Sequence, residues 1–224
     1  MAAEAGQGLL VVLQGLDASG KDGTIRHVFS GVNPQGCSVT SFGAPERSEL
    51  AQDYLWRVHR SVPRKGQIGI FNRSHYEDVL VVRVESLVPE KRWRRRYAHI
   101  REFERMLVEE GTTIVKIFLD VSPEEQLARF TERVEVPEKQ WKFRSADLEV
   151  HKKYDEYRAA YEEALTETST DHAPWYAVPA DRNWLRNLAV SHILVDTLKK
   201  MDPQYPKPQV DAAAVAALKA AKTD

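Results

Sequence analysis

The chain has 224 residues, 42% apolar and 29% charged, with a formal net charge of −1. That is the composition of a soluble globular domain, in which any polyanion must be held by a local basic cluster rather than by the net field. A single cysteine, Cys37, excludes an intrachain disulfide and fits a reducing, cytoplasmic setting; no apolar run approaches the roughly 20 residues of a membrane span, and the N-terminal MAAEAGQGLLVVLQG lacks the basic region and cleavage site of a secretion signal.

LLVVL (9–13) is a short apolar run with β-branched residues, as in a strand buried on both faces of a parallel sheet. A glycine-rich loop follows, then a helix predicted from Lys21 to Gly31. SVTSF (38–42) is a second strand candidate, and SELAQDYLWRVHR (48–60) has the spacing of one amphipathic helix. IGIF (68–71) is a third strand, followed by a long charged helix from Lys91 to Glu110. TTIVKIFLD (112–120) is the clearest strand in the chain. Ser122-Pro123-Glu124-Glu125 then opens a helix with an N-cap serine, proline at N1 and acids in the first turn. A short strand is predicted at 175–178 and a closing helix at 183–199. Strands alternating with helices imply right-handed βαβ units and an α/β fold, a parallel sheet covered by helices on both faces. The charged segment 135–153 lacks an apolar period and reads as a lid. The tail DAAAVAALKAAKTD favours helix but has little to bury, and is expected to be loose or engaged with another subunit.

Gly15-x4-Gly20-Lys21 stands between a predicted strand and a predicted helix, the setting of a phosphate-binding P-loop. Glycines let successive N–H groups turn inward, the helix N-terminus adds partial positive charge and Lys21 a full one. The candidate phosphate-binding residues are therefore Gly15, Ala18, Ser19, Gly20, Lys21, Asp22, Gly23 and Thr24. Two acids interrupt the pattern. A bare carboxylate beside phosphates is repulsive unless a divalent cation lies between them, and Mg²⁺ takes one or two carboxylates together with substrate phosphates. Asp17 reads as such a ligand. Asp22 occupies the place of the usual Ser or Thr, and two readings stand for it: a phosphate-site residue, or an acid stabilised by the helix dipole.

FNRSHYED (71–78) lies at the carboxyl end of the third strand, where ligands bind in open parallel sheets. Arg73 there is suited to fork onto phosphate oxygens. Glu77 and Asp78 fall in the first turn of the next helix, either as functional acids, with Asp78 a second candidate metal ligand, or as part of a capping box with Ser74. PEKRWRRRYAHIREFER (89–105) holds seven Lys or Arg against three Glu. Arg92, Arg95 and Arg96 can share a face there, either lining a polyanion channel or forming a solvated surface with Trp93 and Tyr97 turned inward. Arg129, Arg133 and Lys142 are candidate lid cations that close over transferring phosphates, the alternative for the two arginines being salt bridges to Glu125 or Glu132.

VLQGLDASGKDGTIRHVFSGVNPQGC, FNRSHYEDVLVVRV and PEKQWKFRSADLEVHKKYDEY together resemble the polyphosphate kinase 2 family, P-loop kinases that use inorganic polyphosphate as phosphoryl donor to nucleotides. The resemblance runs from about Leu10 to about Met201, and GKDGT in place of GK[ST] is part of the family's pattern. It implies a three-layer α/β/α P-loop kinase fold with a helical lid. The chain then divides into one domain, 1–201, with the lid at about 129–153, and a C-terminal tail, 202–224. It also implies Mg²⁺ as cofactor, Asp17, Lys21 and Arg73 as catalytic residues, and a homo-oligomer. SHYEDVL, with Glu77, resembles the subgroup that accepts both AMP and ADP. The family pattern includes a basic segment ahead of the first strand, expected to be missing from a chain whose loop begins at Gly15. FLDVSPEEQ departs from the pattern: Asp120 stands where the resemblance implies histidine, and the stretch looks like the strand end of thymidylate kinases. The expected activity is reversible, Mg²⁺-dependent transfer of the terminal phosphoryl group of polyphosphate to AMP or ADP. The alternatives are an ATP-dependent nucleoside monophosphate kinase and a regulatory P-loop nucleotide-binding module. Against the last stands the absence of NKxD, and no aromatic–basic interleaving on strands points to nucleic acid.

Overall fold

β1 (Gly8–Gln14) is buried along its whole length because parallel strands flank it on both sides and helices cover it. In the computed structural model, which describes residues 1–206 and residues 211, 213, 215 and 221, β1 is the middle of a five-stranded sheet in the order β2-β3-β1-β4-β5. The others are β2 (Cys37–Ser41), β3 (Ile68–Asn72), β4 (Thr112–Asp120) and β5 (Trp175–Pro179), all parallel to their neighbours. The reading of the tail DAAAVAALKAAKTD lies largely outside the described residues.

Helices α1 (Lys21–Val28) and α9 (Asn183–Met201) pack together; α4 (Val81–Val84), α5 (Glu90–Glu109) and α8 (Tyr154–Thr168) form a second group packed on the sheet, giving the α/β/α layering. α6 (Pro123–Glu135) starts where its sequence signals put it, with Ser122 accepting from Glu125 N at 3.2 Å. The span 129–153 holds the second half of α6, a 3₁₀ turn (Pro137–Lys142) and α7 (Ala146–Lys152).

One expected element is wrong. Residues 48–60 form two short helices, α2 (Arg47–Leu50) and α3 (Trp56–His59), rather than one. Asp53 breaks the run: its Oδ1 accepts from Leu55 N at 2.9 Å, an Asx turn that competes with helix continuation.

Behind β1 and β3 the core contains a charge. Lys116 on β4 is fully buried and donates to Glu104 Oε2 at 2.6 Å, Thr168 O at 2.8 Å and Tyr76 Oη at 3.0 Å. Tyr76 and His75 also reach Glu104, at 2.8 and 3.3 Å. The network ties α5, α8 and β4 to the segment that follows Arg73.

Candidate active site

The carboxyl ends of β1 and β3 are adjacent in the sheet, so the loops leaving them meet. After β1 the chain must turn within van der Waals contact of its neighbours. A Cβ on Gly15 would lie 2.6 Å from Leu119 O, and Gly20, at φ 95°, takes the left-handed conformation open to glycine. Ala18 (φ 64°) and Arg73 (φ 62°) adopt the same region without being glycine. Such backbone costs about 1–3 kcal/mol per residue and concentrates at functional sites.

Lys21 folds back into the loop, its Nζ donating to Gly15 O at 2.7 Å and Leu16 O at 3.1 Å. Burial pushes its ammonium down to about 8, against the pull of Asp17. Asp17 points across to Arg73 and pairs with its Nη2. Glu77 stands 4.0 Å from Arg73 Nη1. Burial works against the Arg73 charge, but Asp17 and Glu77 outweigh it and hold the guanidinium ionised. Burial also raises the Glu77 carboxyl above its ordinary value, with Arg73 and Lys21 pulling the other way. The structure thus brings Asp17, Lys21, Arg73 and Glu77 into one electrostatically coupled cluster. Both arginine and Asp17 side chains remain partly exposed, at 40% and 28%, so the cluster is open to a ligand.

Other candidates sit elsewhere. Asp22 is exposed and accepts from Asn72 Nδ2 at 2.6 Å, which fastens the start of α1 to the end of β3. Thr24 is buried and its hydroxyl donates to Gly20 O at 3.1 Å. Ser74 caps the 3₁₀ turn His75–Asp78, accepting from Tyr76 N, while Glu77 faces Arg73 instead of completing a capping box. Asp78 Oδ1 is 3.0 Å from Arg96 Nη1, and burial raises its carboxyl. Arg96 is therefore turned inward with Trp93 and Tyr97, while Arg92 and Arg95 stay exposed, so the three arginines do not share a face.

In the span 129–153, expected from the sequence to form a lid, Arg133 pairs with Asp147 at 3.0 Å and the exposed Lys142 lies over the Trp141 ring. Arg129 keeps its bridge to Glu125 (2.8 Å) but also donates to Ala18 O in the loop (2.8 Å) and to Ala180 O (2.7 Å). Asp120 pairs with Arg158. Two residues that local pattern reading passed over also touch the loop. Gln126 Nε2 donates to Asp17 O at 2.9 Å, and Arg186 Nη1 approaches Ser19 O at 3.5 Å. Their signal in the sequence is a polar side chain on a buried helical stripe: Gln126 with Phe130, and Arg186 with Val190 and Leu194.

A backbone cradle with a folded-in lysine, an acid inside it and an arginine across the sheet edge has the chemistry suited to phosphate groups. The family model of polyphosphate kinase 2 matches residues 1–206. The chain belongs to the polyphosphate kinase 2 family. It is 62% identical over 207 residues to an AMP/ADP-polyphosphate phosphotransferase of Meiothermus ruber, covering 92% of this chain and 78% of that one. It is 47% identical over 211 residues to an ADP-polyphosphate phosphotransferase of Rhodopseudomonas palustris, covering 89% and 73%. The crystal structure of polyphosphate kinase 2 from Arthrobacter aurescens TC1 superposes with a TM-score of 0.93 at 40% identity, covering 98% of this chain and 80% of that one. The fold and family expected from the sequence therefore hold.

Proposed function

We propose that the chain moves the terminal phosphoryl group of inorganic polyphosphate to AMP and ADP, reversibly and with Mg²⁺. The observation that carries the reading is Asp17: a carboxylate inside the phosphate loop, coupled to Lys21 and paired with Arg73. The residues present fit the cation. Asp17 offers hard carboxylate oxygens at the loop, and Glu77 rather than Asp78, whose Oδ1 is engaged by Arg96 at 3.0 Å, is the second carboxylate beside it, the one or two that Mg²⁺ takes from protein when phosphates and water supply the rest. When bound, the cation offsets the repulsion among the phosphates and Asp17.

Catalysis here is positioning and charge stabilisation, because phosphoryl transfer asks for little covalent chemistry from protein. The loop amides and Lys21 bind one phosphate chain: the ammonium exchanges Gly15 O and Leu16 O for phosphate oxygens. Asp17 anchors the metal side of the site. Arg73 forks onto the oxygens of the group in flight. An oxygen of the acceptor phosphate attacks the terminal phosphorus, the bond to the penultimate phosphate breaks, and the shortened chain leaves as an anion. The acceptor oxygen is largely ionised near neutral pH, so no strong base is required. Residues 129–153 act as the lid, with Arg133 and Lys142 supplying cations on closure. Use of both acceptors is supported by the 62% identity to a relative named for both AMP and ADP, and Glu77, beside Arg73, sets that choice. The protein works in the cytoplasm as a homo-oligomer, a reading the family supports; among the described residues no helix is long and apolar enough to cross a membrane.

The test is one assay: nucleotide-free protein, polyphosphate and Mg²⁺, with AMP or ADP, products separated. ADP and ATP are expected, and Asp17→Asn is expected to lose 10²-fold or more in kcat while melting at the wild-type temperature. Turnover with ATP but none with polyphosphate would make the chain a nucleoside monophosphate kinase instead.

A further inference from the structure

A planar trans peptide points its carbonyl and the following N–H in opposite directions. Whatever holds the carbonyls of a phosphate loop therefore aims its amides. Here every carbonyl from Gly15 to Gly20 has a partner. Lys21 takes Gly15 O and Leu16 O, and Thr24 takes Gly20 O. The three between them are met by side chains from outside the loop. Gln126 Nε2 donates to Asp17 O at 2.9 Å and Arg129 Nη1 to Ala18 O at 2.8 Å, both from one turn of α6. Arg186 Nη1, from α9, comes to 3.5 Å of Ser19 O. Of the N–H groups on the far side of those peptides, those of Ala18 and Gly20 make no hydrogen bond among the described residues, while that of Ser19 donates to Leu16 O at 3.1 Å and closes the turn.

Each of the three side chains is specialised for this place. Gln126 is fully buried and uses both ends of its amide: Oε1 is 2.8 Å from His151 Nδ1, on α7. Because the Nε2 end must donate to Asp17 O, the Oε1 end must accept, and His151 presents Nδ1–H. Arg129 spreads its guanidinium over Glu125, Ala18 O, Ala180 O and Asp181 O. Arg186 is 3% exposed and has no carboxylate partner among the described residues; Asn183 Oδ1 (2.8 Å) and Asn187 Oδ1 (3.1 Å) take its other N–H groups. Burial and the nearby Arg129 push its guanidinium down to about 10. A cation kept there without a counter-charge needs carbonyl dipoles, and the loop supplies one.

We propose that Gln126, Arg129 and Arg186 are positioning residues that hold the Asp17, Ala18 and Ser19 carbonyls outward, fixing the turn closed by Ser19 N–H and turning the Ala18 and Gly20 amides and the Asp17 carboxylate toward the phosphates, and that His151 sets the Gln126 amide for this task. The lid segment is thereby tied to the loop it covers: α7 acts on Asp17 through Gln126. This deepens the proposed function in requiring only that the loop binds phosphate chains, and its first measurement needs no turnover.

The experiment is calorimetric binding of inorganic tripolyphosphate, then polyphosphate–AMP kinetics, for wild type, Gln126→Met, His151→Ala and the double variant, each with a thermal melt. Gln126→Met is expected to weaken tripolyphosphate binding about tenfold and to lower kcat by at least as much, with its melting temperature within a few degrees of wild type. His151→Ala is expected to weaken binding about threefold to fivefold alone and to add nothing in the Gln126→Met background, since it acts only through that amide. Wild-type binding by Gln126→Met, or an equal cost of His151→Ala in both backgrounds, overturns the proposal. If Gln126→Met fails to fold, Gln126→Glu, which turns an acceptor toward Asp17 O at equal size, carries the same expectation and the same overturning result. If wild type binds tripolyphosphate but shows no polyphosphate turnover, the functional reading fails while the binding cycle still decides the positioning role of Gln126 and His151.

Discussion

Lys21 lies almost wholly inside the protein, and burial brings its ammonium from 10.5 to about 8. A shift of that size corresponds to about 3 kcal/mol held against the charged form. A bound phosphate chain reverses the balance by placing anionic oxygens around Nζ. At pH 8.5 a group of pKa 8 is roughly one-quarter protonated, so ligand binding that restores full charge draws in roughly three-quarters of a proton. Tripolyphosphate titrations in buffers of different ionisation enthalpy read that uptake directly. Lys21→Arg, whose guanidinium is charged throughout the range, subtracts protons contributed by the ligand itself. The expected difference is about 0.75 proton at pH 8.5 and close to none at pH 6.5. In turnover the same ionisation gives kcat/KM an alkaline limb near pH 8, because that ratio reports the free enzyme, while the limb in kcat lies higher. The sign for stability is opposite: between about 8 and 10.5 the unfolded chain binds more protons at Lys21 than the native one, so this residue's contribution to stability rises with pH. Equal proton uptake by wild type and Lys21→Arg at pH 8.5 would falsify the argument.

Arg96→Met removes the partner of a half-buried carboxylate, since Asp78 Oδ1 and Asp78 O lie 3.0 and 2.8 Å from Nη1. It is expected to cost about 2–4 kcal/mol in urea unfolding, whereas Arg92→Ala and Arg95→Ala, on the exposed side of α5, should leave stability within about 0.5 kcal/mol. Equal stability losses in all three would contradict the inward placement of Arg96. Glu104→Gln strands Lys116 in the core and is expected to cost about 3–5 kcal/mol at pH 7. His75 and Lys116 hold the Glu104 carboxyl below its ordinary value despite burial. Its stabilisation is therefore present above the unfolded value of 4.5 and lost as pH falls through the native one; the gap between variant and wild type should shrink below about pH 4.5, and a gap that does not change with pH would argue that the pair carries no charge.

Strands buried on both faces announce themselves as unbroken apolar runs, which is why β1 and β4 could be read from LLVVL and TTIVKIFLD. β2, at the sheet edge and mostly exposed, was shifted by one residue at each end because alternation there is weak. The start of α6 was legible because its signal is local: Ser, Pro and two acids in consecutive positions. The break at Asp53 was not, since an Asx turn and a helix interior share the same residue until the backbone chooses. In the site, Asp17, Lys21 and Arg73 stood out because spacing and strand context define a phosphate loop. The bridge from Arg129 to Glu125 was legible in its i, i+4 spacing, but its reach to Ala18 O, 111 positions away, was not, nor was that of Arg96 to Asp78, 18 positions away, because which carbonyl or carboxylate a long side chain meets depends on how separate elements pack. Lys116, alone in TTIVKIFLD, was the unused clue. A lysine amid a buried strand demands a carboxylate, and Glu104 answers it from α5.

The acid in the anion site also explains how the protein tolerates that site without a ligand. Lys21 and Arg73 bring two positive charges, Asp17 and Glu77 two negative ones. A loop of inward amides with the cations alone would carry uncompensated charge at the end of a buried sheet, and burial is already lowering Lys21. With the acids present, Lys21 rests on carbonyls and Arg73 on Asp17. An arriving phosphate chain must take both cations from those partners, which leaves Asp17 unpaired beside phosphate, a repulsive arrangement at low effective dielectric. Only a divalent cation turns that arrangement into an attractive one. Under the proposed function phosphate and metal are therefore expected to bind cooperatively, and the order can be measured. Without Mg²⁺, Asp17→Asn is expected to bind tripolyphosphate several-fold more tightly than wild type, because the repelling charge is gone; with Mg²⁺ the ranking is expected to reverse. If the two proteins rank the same way with and without the metal, Asp17 is not what couples them.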